Sequence, residues 1–384
     1  MNIWYINPTN IEYIQIKPQQ VKLNKTFGCT RFIWNKNVES FNNHSEFRSS
    51  TEYRKEYEFL QEISAGALQQ KEIDFKDFKN QFFNKLRKKK LGKPNFKNKK
   101  QKQSFRLPNK KFYIEEETNK IWLEKIGKVK IKLDKEFIGR TLSVTISRDK
   151  CNDYFVSISV EQEIEQLNKT NKSVGIDVGI KSLITTSDGI QINHFPDNQR
   201  KIKRLQKKLS RKKLGSNRFN YLKLKIARLH RKEARRREWI LHNISKYLVE
   251  NYDQIIIEDL NIAGMMKNHK LAGSIGRSCW SELTRQLNYK CNWYGKELIK
   301  INRFFPSSKT CSGCGHVKDR LGLDERTYIC ESCGLVIDRD LNASINIRSV
   351  GITTDVNQSV MECKTCLNDL SFKQAIPSDL IKFL

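Results

Sequence analysis

The spacing of apolar residues changes character several times along the chain, and each change predicts a different element. Leu60, Ile63, Ala67 and Leu68 recur at helical spacing, and Phe75, Phe78, Phe82 and Phe83 prolong an apolar face, so residues 1–80 are predicted to be mostly helical. Residues 121–160 alternate instead. Val129, Ile131 and Leu133 are interleaved with lysines, and Leu142, Val144 and Ile146 are followed by Tyr154, Val156, Ile158 and Val160 across the turn residues Asp149–Asp153. This pattern predicts antiparallel hairpins with one buried face, compatible with a small β-barrel. Gln162 to Lys172 is polar and predicts a linker into a second domain. There Ser173–Gly179 predicts an apolar strand interrupted by Asp177, and Leu183–Thr186 and Ile190–Ile192 predict a hairpin around Ser187-Asp-Gly189. Ile202, Leu205 and Leu209, then Leu222, Ile226 and Leu229, mark two amphipathic helices broken at Gly215-Ser-Asn217 and prolonged through Ile240, Ile244 and Leu248. Tyr252 to Ile262 reads as a buried strand ending in a carboxylate pair. Trp280 to Leu298 reads as a helix, and Ile299 and Ile301 as a strand after it.

Charge adds a partner to this outline. The 384 residues leave room for two or three domains, and 72 Lys and Arg against 42 Asp and Glu give a formal net charge of +30. Such a surplus repels itself unless a polyanion neutralises it, which points to nucleic acid. Between Arg200 and Glu238 there are eighteen Lys or Arg and two Glu. A face that merely needed solvation would mix its charges. The stretch 85–111 is basic, reads as irregular, and carries Phe96 and Phe105 as rings that could stack on bases. The phosphate-binding candidates are Lys88, Lys89, Lys90, Lys97, Lys99, Lys100 and Arg106 in this stretch. In the paired helices they are Arg204, Lys207, Lys208, Arg211, Lys212, Arg228, Arg231, Arg235 and Arg236. The apolar runs are far shorter than the roughly 20 residues of a membrane span, and the N-terminus lacks a secretory pattern. The expectation is a cytoplasmic, nucleoid-associated protein in a reducing compartment.

Three carboxylates, Asp177, Glu258 and Asp340, stand at the ends or middles of apolar elements, where an ionised acid is costly unless paired or bound to metal. Converging on one sheet, they would form a hard-oxygen site for Mg²⁺ or Mn²⁺ suited to phosphoryl transfer. Each also has a structural reading. Asp177 could close a turn, Glu258 or Asp259 could cap a helix, and Asp340 could be the N-cap of a helix at 341–348. No Ser-His-Asp, Cys-His or Walker pattern competes.

Of the ten cysteines, Cys311-Ser-Gly-Cys314 and Cys330-Glu-Ser-Cys333 lie fifteen residues apart, each pair followed by glycine (Gly315, Gly334). In a reducing compartment this spacing reads as a zinc ribbon, four thiolates closing a tetrahedral Zn²⁺ site with no open position. The ion would be structural, stabilising the insert by on the order of 10 kcal/mol. His316 is then a bystander, and Cys363 and Cys366 form a lone pair in the tail. His44, His194, His230, His242 and His269 are scattered and read as structural or solvent-facing.

Taken in order, these motifs resemble the TnpB family, RNA-guided nucleases of bacterial and archaeal insertion sequences related to type V CRISPR effectors. The resemblance rests on Gly-Ile-Asp177-Val-Gly, Ile-Ile-Glu258-Asp-Leu-Asn, Phe305-Pro-Ser-Ser-Lys-Thr-Cys311-Ser-Gly-Cys-Gly315, Cys330-Glu-Ser-Cys-Gly and Asp338-Arg-Asp340-Leu-Asn-Ala-Ser-Ile-Asn-Ile347. Gly92-Lys-Pro-Asn-Phe-Lys with Ser104-Phe-Arg, and Leu229-His-Arg-Lys with Trp239-Ile-Leu-His, extend it over roughly residues 25–350.

The resemblance implies an α+β multidomain protein. Residues 1–165 would form a wedge-like β-barrel with a helical recognition insert, and 166–305 the first part of an RNase H-like (RuvC) α/β domain. Residues 306–334 would be a zinc-ribbon insert, 335–350 the last RuvC-like segment, and 351–384 a tail of no recognised role. It further implies catalytic roles for Asp177, Glu258 and Asp340, a guide RNA from the element end, and a DNA target selected by base pairing. Asp340 is favoured over Asp338 because the family's acid precedes an x-Asn-Ala-x-x-Asn-Ile pattern. Two departures stand out. Met1–Gln20 carries only Lys17 where the family has a basic first strand, and Ser344 replaces a favoured alanine. The competing readings are a guide-loaded DNA binder that does not cut, and an unguided RuvC-like nuclease or transposase accessory.

Overall fold

The computed structural model describes residues 3–5, 17–84, 86, 91–132, 139–194, 198–322 and 324–356. Lys88, Lys89, Lys90, Leu133, Cys363, Cys366 and the tail beyond 356 lie outside these residues. The chain divides into two compact units, Met1–Glu163 with Arg211–Arg228, and Ile164–Ser210 with Leu229 onward.

In the first unit, β1 (Ile3–Tyr5) is followed by three helices, α1 (Lys17–Asn42), α2 (Ser50–Glu56) and α3 (Ala65–Phe83). Then come β2 (Gln103–Pro108), β3 (Phe112–Glu115), β4 (Lys120–Leu123), β5 (Gly127–Lys130), β6 (Arg140–Arg148) and β7 (Tyr154–Glu161). The strands form a four-stranded sheet in the order β1-β7-β6-β2 and a three-stranded meander β3-β4-β5. The β6–β7 hairpin sets Val144 opposite Ile158 and Ile146 opposite Val156. These residues, Leu107 of β2, Ile121 and Leu123 of β4, Val129 of β5 and Leu23 and Phe27 of α1 share one buried core. Period-two alternation makes this possible, because every second side chain points inward. The weakly basic N-terminus still supplies an edge strand, with Ile3 opposite Glu161. A second core of Cys29, Ile33, Tyr53, Leu60, Ile63 and Leu68 joins the three helices.

The expectation of an irregular basic stretch over 85–111 is corrected at its end. Residues 103–108 are β2, and Phe105 is 1% exposed, opposite Ile146. The ring is core and cannot stack on a base; Phe96, 54% exposed, can. Alternation across Gln103-Ser-Phe-Arg-Leu107 was the available signal, masked by the flanking charge.

The second unit contains β8 (Ser173–Asp177), β9 (Ser182–Thr186), β10 (Gln191–Asn193), α4 (Gln199–Ser210) and the later part of α5 (Asn217–Asn251). It continues with β11 (Gln254–Glu258), α6 (Ile262–Met265), α7 (His269–Ser278), α8 (Trp280–Tyr294) and β12 (Glu297–Ile301). It ends with the hairpin β13 (Thr327–Ile329) and β14 (Val336–Asp338), and α9 (Arg339–Val356). The main sheet runs β10-β9-β8-β11-β12, with β8, β11 and β12 parallel and β9 and β10 antiparallel. On one face Val174, Ile176, Ile255 and Ile257 pack with Ile244 and Leu248 of α5 and Leu283 and Leu287 of α8. On the other, Ile256 packs with Ile347 of α9 and Ile301. Helices thus cover both faces of the parallel strands, as their near-continuous apolar sequences require. The expected linker is tied down in this unit. Thr170 and Asn171 donate backbone N–H groups to Asp253, at 2.8 and 2.6 Å, and Asp253 pairs with the buried Lys296 at 2.5 Å.

Candidate functional site

Asp177 and Glu258 are the last residues of neighbouring parallel strands. Ile176 is in register with Ile257, so the two acids stand side by side one position further on. The intervening Ile residues point into the α5/α8 core, and alternation turns both acids to the face covered by α9. Gly175 lets that helix come close. A Cβ there would sit 2.1 Å from the Ser344 carbonyl oxygen and 2.5 Å from the Arg348 nitrogen, contacts that only glycine avoids. Arg348 Nε also donates to Ser173 Oγ at 3.0 Å. Position 348 therefore lies over 173 and 344 over 175, with α9 running antiparallel to β8. One more helical turn toward the N-terminus brings Asp340 to the level of Asp177.

Asp340 does not cap its helix. Asp338 does, its Oδ1 accepting from the N–H groups of Asp340 and Leu341 at 3.0 and 3.1 Å. Asp340 is left on the first turn, beside the Arg339 guanidinium at 3.5 Å. Ser344, the departure noted above, is fully buried, and its hydroxyl donates to the Leu341 carbonyl, so the extra oxygen is satisfied.

The electrostatics reflect this crowding. The Asp177 carboxyl is pushed up to about 7, first by burial and then by the charges of Glu258 and Asp340. Burial also raises Glu258, opposed by the Ser307 hydroxyl, which donates to its Oε1. Like charges held near one another in a low dielectric are what a hard cation relieves, so the donor set suits a divalent ion. The three acids do not converge as tightly as metal ligands. Among the described residues, the cysteine quartet is the one group of three or more candidate ligands whose donor atoms all lie within 4.8 Å of one another.

In that quartet, Cys311 and Cys333 sulfurs are 3.6 Å apart, as are those of Cys314 and Cys330. A tetrahedron with Zn–S near 2.3 Å has S···S edges of about 3.8 Å, so the four thiols fit Zn²⁺. The two pairs are built alike. Gly315 N–H donates to the Cys311 carbonyl and Gly334 N–H to that of Cys330. Cys311 N–H in turn reaches the His316 carbonyl, and Cys330 N–H that of Leu335. Gly315 and Gly334 hold φ of +78° and +76°, a left-handed turn that favours glycine. His316 contributes its backbone to this arrangement.

The basic candidates fare unevenly. Arg204, Lys207, Lys208, Arg211, Lys212, Arg228 and Arg236 are exposed on or between α4 and α5, as are Lys99 and Lys100. Arg231 and Arg235 are half-buried. Lys97 is turned inward, its ammonium 3.5 Å from the centroid of the Trp34 ring, and is pushed down to about 8 by burial and by Lys71. Arg106 lies 4.0 Å from Asp74. A cavity of about 260 Å³ lies just past the Asp177 strand, lined by Lys181, Arg236, Arg237 and Arg277 among others. Of these Arg236 was among the sequence candidates and the others were not, and Ser307, Asn342 and Asn346 lay within the motifs quoted above without a role of their own. The two asparagines stand four apart, on one face of the helix.

These features define an α+β protein with a four-cysteine ribbon and clustered carboxylates at the ends of parallel strands. Known families match it. Residues 280–347 match the profile described as "Cas12f1-like, TNB domain", 156–269 that described as "Probable transposase", and 17–40 a helix-turn-helix profile of the same transposase group. A Streptomyces pristinaespiralis protein named as a candidate RNA-guided DNA endonuclease is 35% identical over 352 residues, covering 87% of this chain and 86% of that protein. The similarly named InsQ of Escherichia coli K12 is 29% identical, covering 88% and 91%. The chain belongs to the TnpB family. A cryo-EM structure of a Cas12f1–sgRNA–target DNA complex shares the fold, with a TM-score of 0.50 and 16% identity over 88% of this chain and 83% of that one. Among the described residues no helix is long and apolar enough to cross a membrane.

Proposed function

We propose that this protein is an RNA-guided, divalent-metal-dependent DNA endonuclease of a transposable element, acting in the cytoplasm on nucleoid DNA. Its second unit is an RNase H-like (RuvC) domain whose catalytic carboxylates are Asp177, Glu258 and Asp340. The observation that carries this reading is the antiparallel lay of α9 on β8, which matches position 340 to 177 beside 258. Asp177 and Glu258 stand at strand ends and Asp340 on a capped helix, so a cation bound beside them would draw its oxygen ligands from all three. Mg²⁺ or Mn²⁺ bound there would activate the attacking water and stabilise the leaving oxygen of the phosphodiester. The cysteine quartet holds Zn²⁺ as a structural ion.

The first unit is the wedge-like barrel with its helical insert. Together with the exposed cations of α4 and α5, it holds the guide RNA, while base pairing selects the target. The names of the relatives and the complex in which the Cas12f1 fold was determined support these partners.

The test is guided cleavage by protein purified with co-expressed element-end RNA, given Mg²⁺ and matched DNA. Cleavage is expected to need guide, match and metal. Asp177→Ala is expected to abolish cutting and retain guided binding. Guided binding with no cutting under any divalent ion would favour the non-cleaving binder, and cutting without RNA would favour the unguided nuclease.

A further inference from the structure

Glu258 has three rotatable side-chain bonds, and a carboxylate on so long a stem is free to swing unless something holds it. Ser307 holds it. The residue is 4% exposed and all its polar groups are engaged. Its hydroxyl donates to Glu258 Oε1 at 2.5 Å, its N–H donates to the Phe305 carbonyl at 2.9 Å, and its carbonyl accepts from Asn346 Nδ2 at 2.8 Å. Asn346 Nδ2 also reaches the Thr310 carbonyl, at 2.6 Å. Asn342 donates to that same carbonyl at 2.7 Å, and its Oδ1 accepts from the N–H of Ser312 at 2.9 Å. Ser312 lies inside the first Cys-x-x-Cys turn. Both asparagines are buried, and both stand on the helix that bears Asp340. One continuous set of hydrogen bonds therefore runs from the ribbon's first turn, through the two asparagines, to the Glu258 carboxylate.

We propose that Ser307 is a positioning residue for Glu258, and that Asn342 and Asn346 make the setting of that carboxylate depend on the folded four-cysteine ribbon. The proposal rests on Glu258 belonging to the divalent-cation site. A buried hydroxyl that fixes one carboxylate oxygen leaves the other to face the cation, and partners of this kind commonly change metal affinity or activity by about 10–100-fold.

The test uses the full chain bound to guide RNA and a non-cleavable phosphorothioate target. Mn²⁺ binding is measured by the electron paramagnetic resonance signal of the free ion, and zinc content by elemental analysis. Ser307→Ala is expected to raise the half-saturating Mn²⁺ concentration about tenfold or more with zinc content unchanged. Ser307→Thr, which keeps the hydroxyl, is expected to restore most of the affinity. Asn346→Ala, which frees the Ser307 carbonyl, should weaken Mn²⁺ binding in the same direction, and so should Cys330→Ser, which unfolds the ribbon. Unaltered Mn²⁺ affinity in Ser307→Ala overturns the positioning role, and unaltered affinity in Cys330→Ser overturns the dependence on the ribbon. Asp177→Ala is the separate control. If it binds Mn²⁺ as well as the parent protein does, the acidic site itself is misassigned and Ser307 is not what failed.

Discussion

The cysteine quartet and the carboxylate trio are assembled by opposite routes. The four sulfurs come from two short turns with the same backbone pattern, which brings Cys311 to 3.6 Å from Cys333 and Cys314 to 3.6 Å from Cys330. The carboxylates come from three remote segments, and burial first, then the charges of Glu258 and Asp340, push Asp177 up to about 7. They are held by what lies behind them: a strand register, a glycine contact, a capped helix and a serine. A soft, closed site can be specified by its own ligands, whereas a hard, reactive one depends on its scaffold.

This contrast can be broken from either side. Cys330→Ser should have the largest effect, because structural zinc sites of this kind contribute on the order of 10 kcal/mol to local folding. Zinc content is expected to fall from stoichiometric to near zero, with new protease cleavage within 306–338. Retention of zinc with the ribbon protected would mean that the quartet is not the ligand set.

The scaffold side should respond next. Asp253 lies just before β11, at the far end from Glu258, and pairs with the buried ammonium of Lys296. Burial opposes its charge, but Lys296 and the N–H groups of Thr170 and Asn171 hold its carboxyl well below the usual range. The folded value lies below the unfolded one. Its stabilisation is therefore complete above about pH 4, where the unfolded carboxyl is ionised, and is lost as pH falls through the folded value. Asp253→Asn is expected to cost about 3 kcal/mol at pH 7 by denaturant titration, at the low end for a broken buried pair because Asp253 keeps some solvent contact. The gap to the parent protein should narrow below pH 4; a gap that widens there would reverse the sign assigned to this pair.

Gly175→Ala should be milder, about 1–3 kcal/mol, because its methyl meets the α9 backbone and the helix must shift. Zinc content should not change while cleavage falls with the displaced Asp340. Full cleavage would mean that the close approach of α9 to β8 does not position the acid.

Legibility in the sequence follows the same division. The cysteines could be read from spacing alone, because their geometry is local. The hairpins, the two basic helices and the strands ending in Asp177 and Glu258 were readable because period and turn residues agree. Asp340 was chosen by pattern; its alternative reading as the N-cap is set aside, because Asp338 caps the helix. Ser307 and Gly175 were not readable as parts of the site, since each acquires its meaning from a partner 49 residues or more away in sequence, Glu258 for one and Ser344 for the other. Phe105 was misjudged for a related reason: it sits among cations in the chain, yet β2 buries its ring.

The most direct measurement is anomalous scattering from the guide–target complex crystallised with Mn²⁺ and a non-cleavable DNA strand. Manganese is expected against the carboxylates of Asp177, Glu258 and Asp340, beside a DNA phosphate, with zinc on Cys311, Cys314, Cys330 and Cys333. A cleavage-competent complex whose manganese lies elsewhere, with no density among those three acids, would contradict the account.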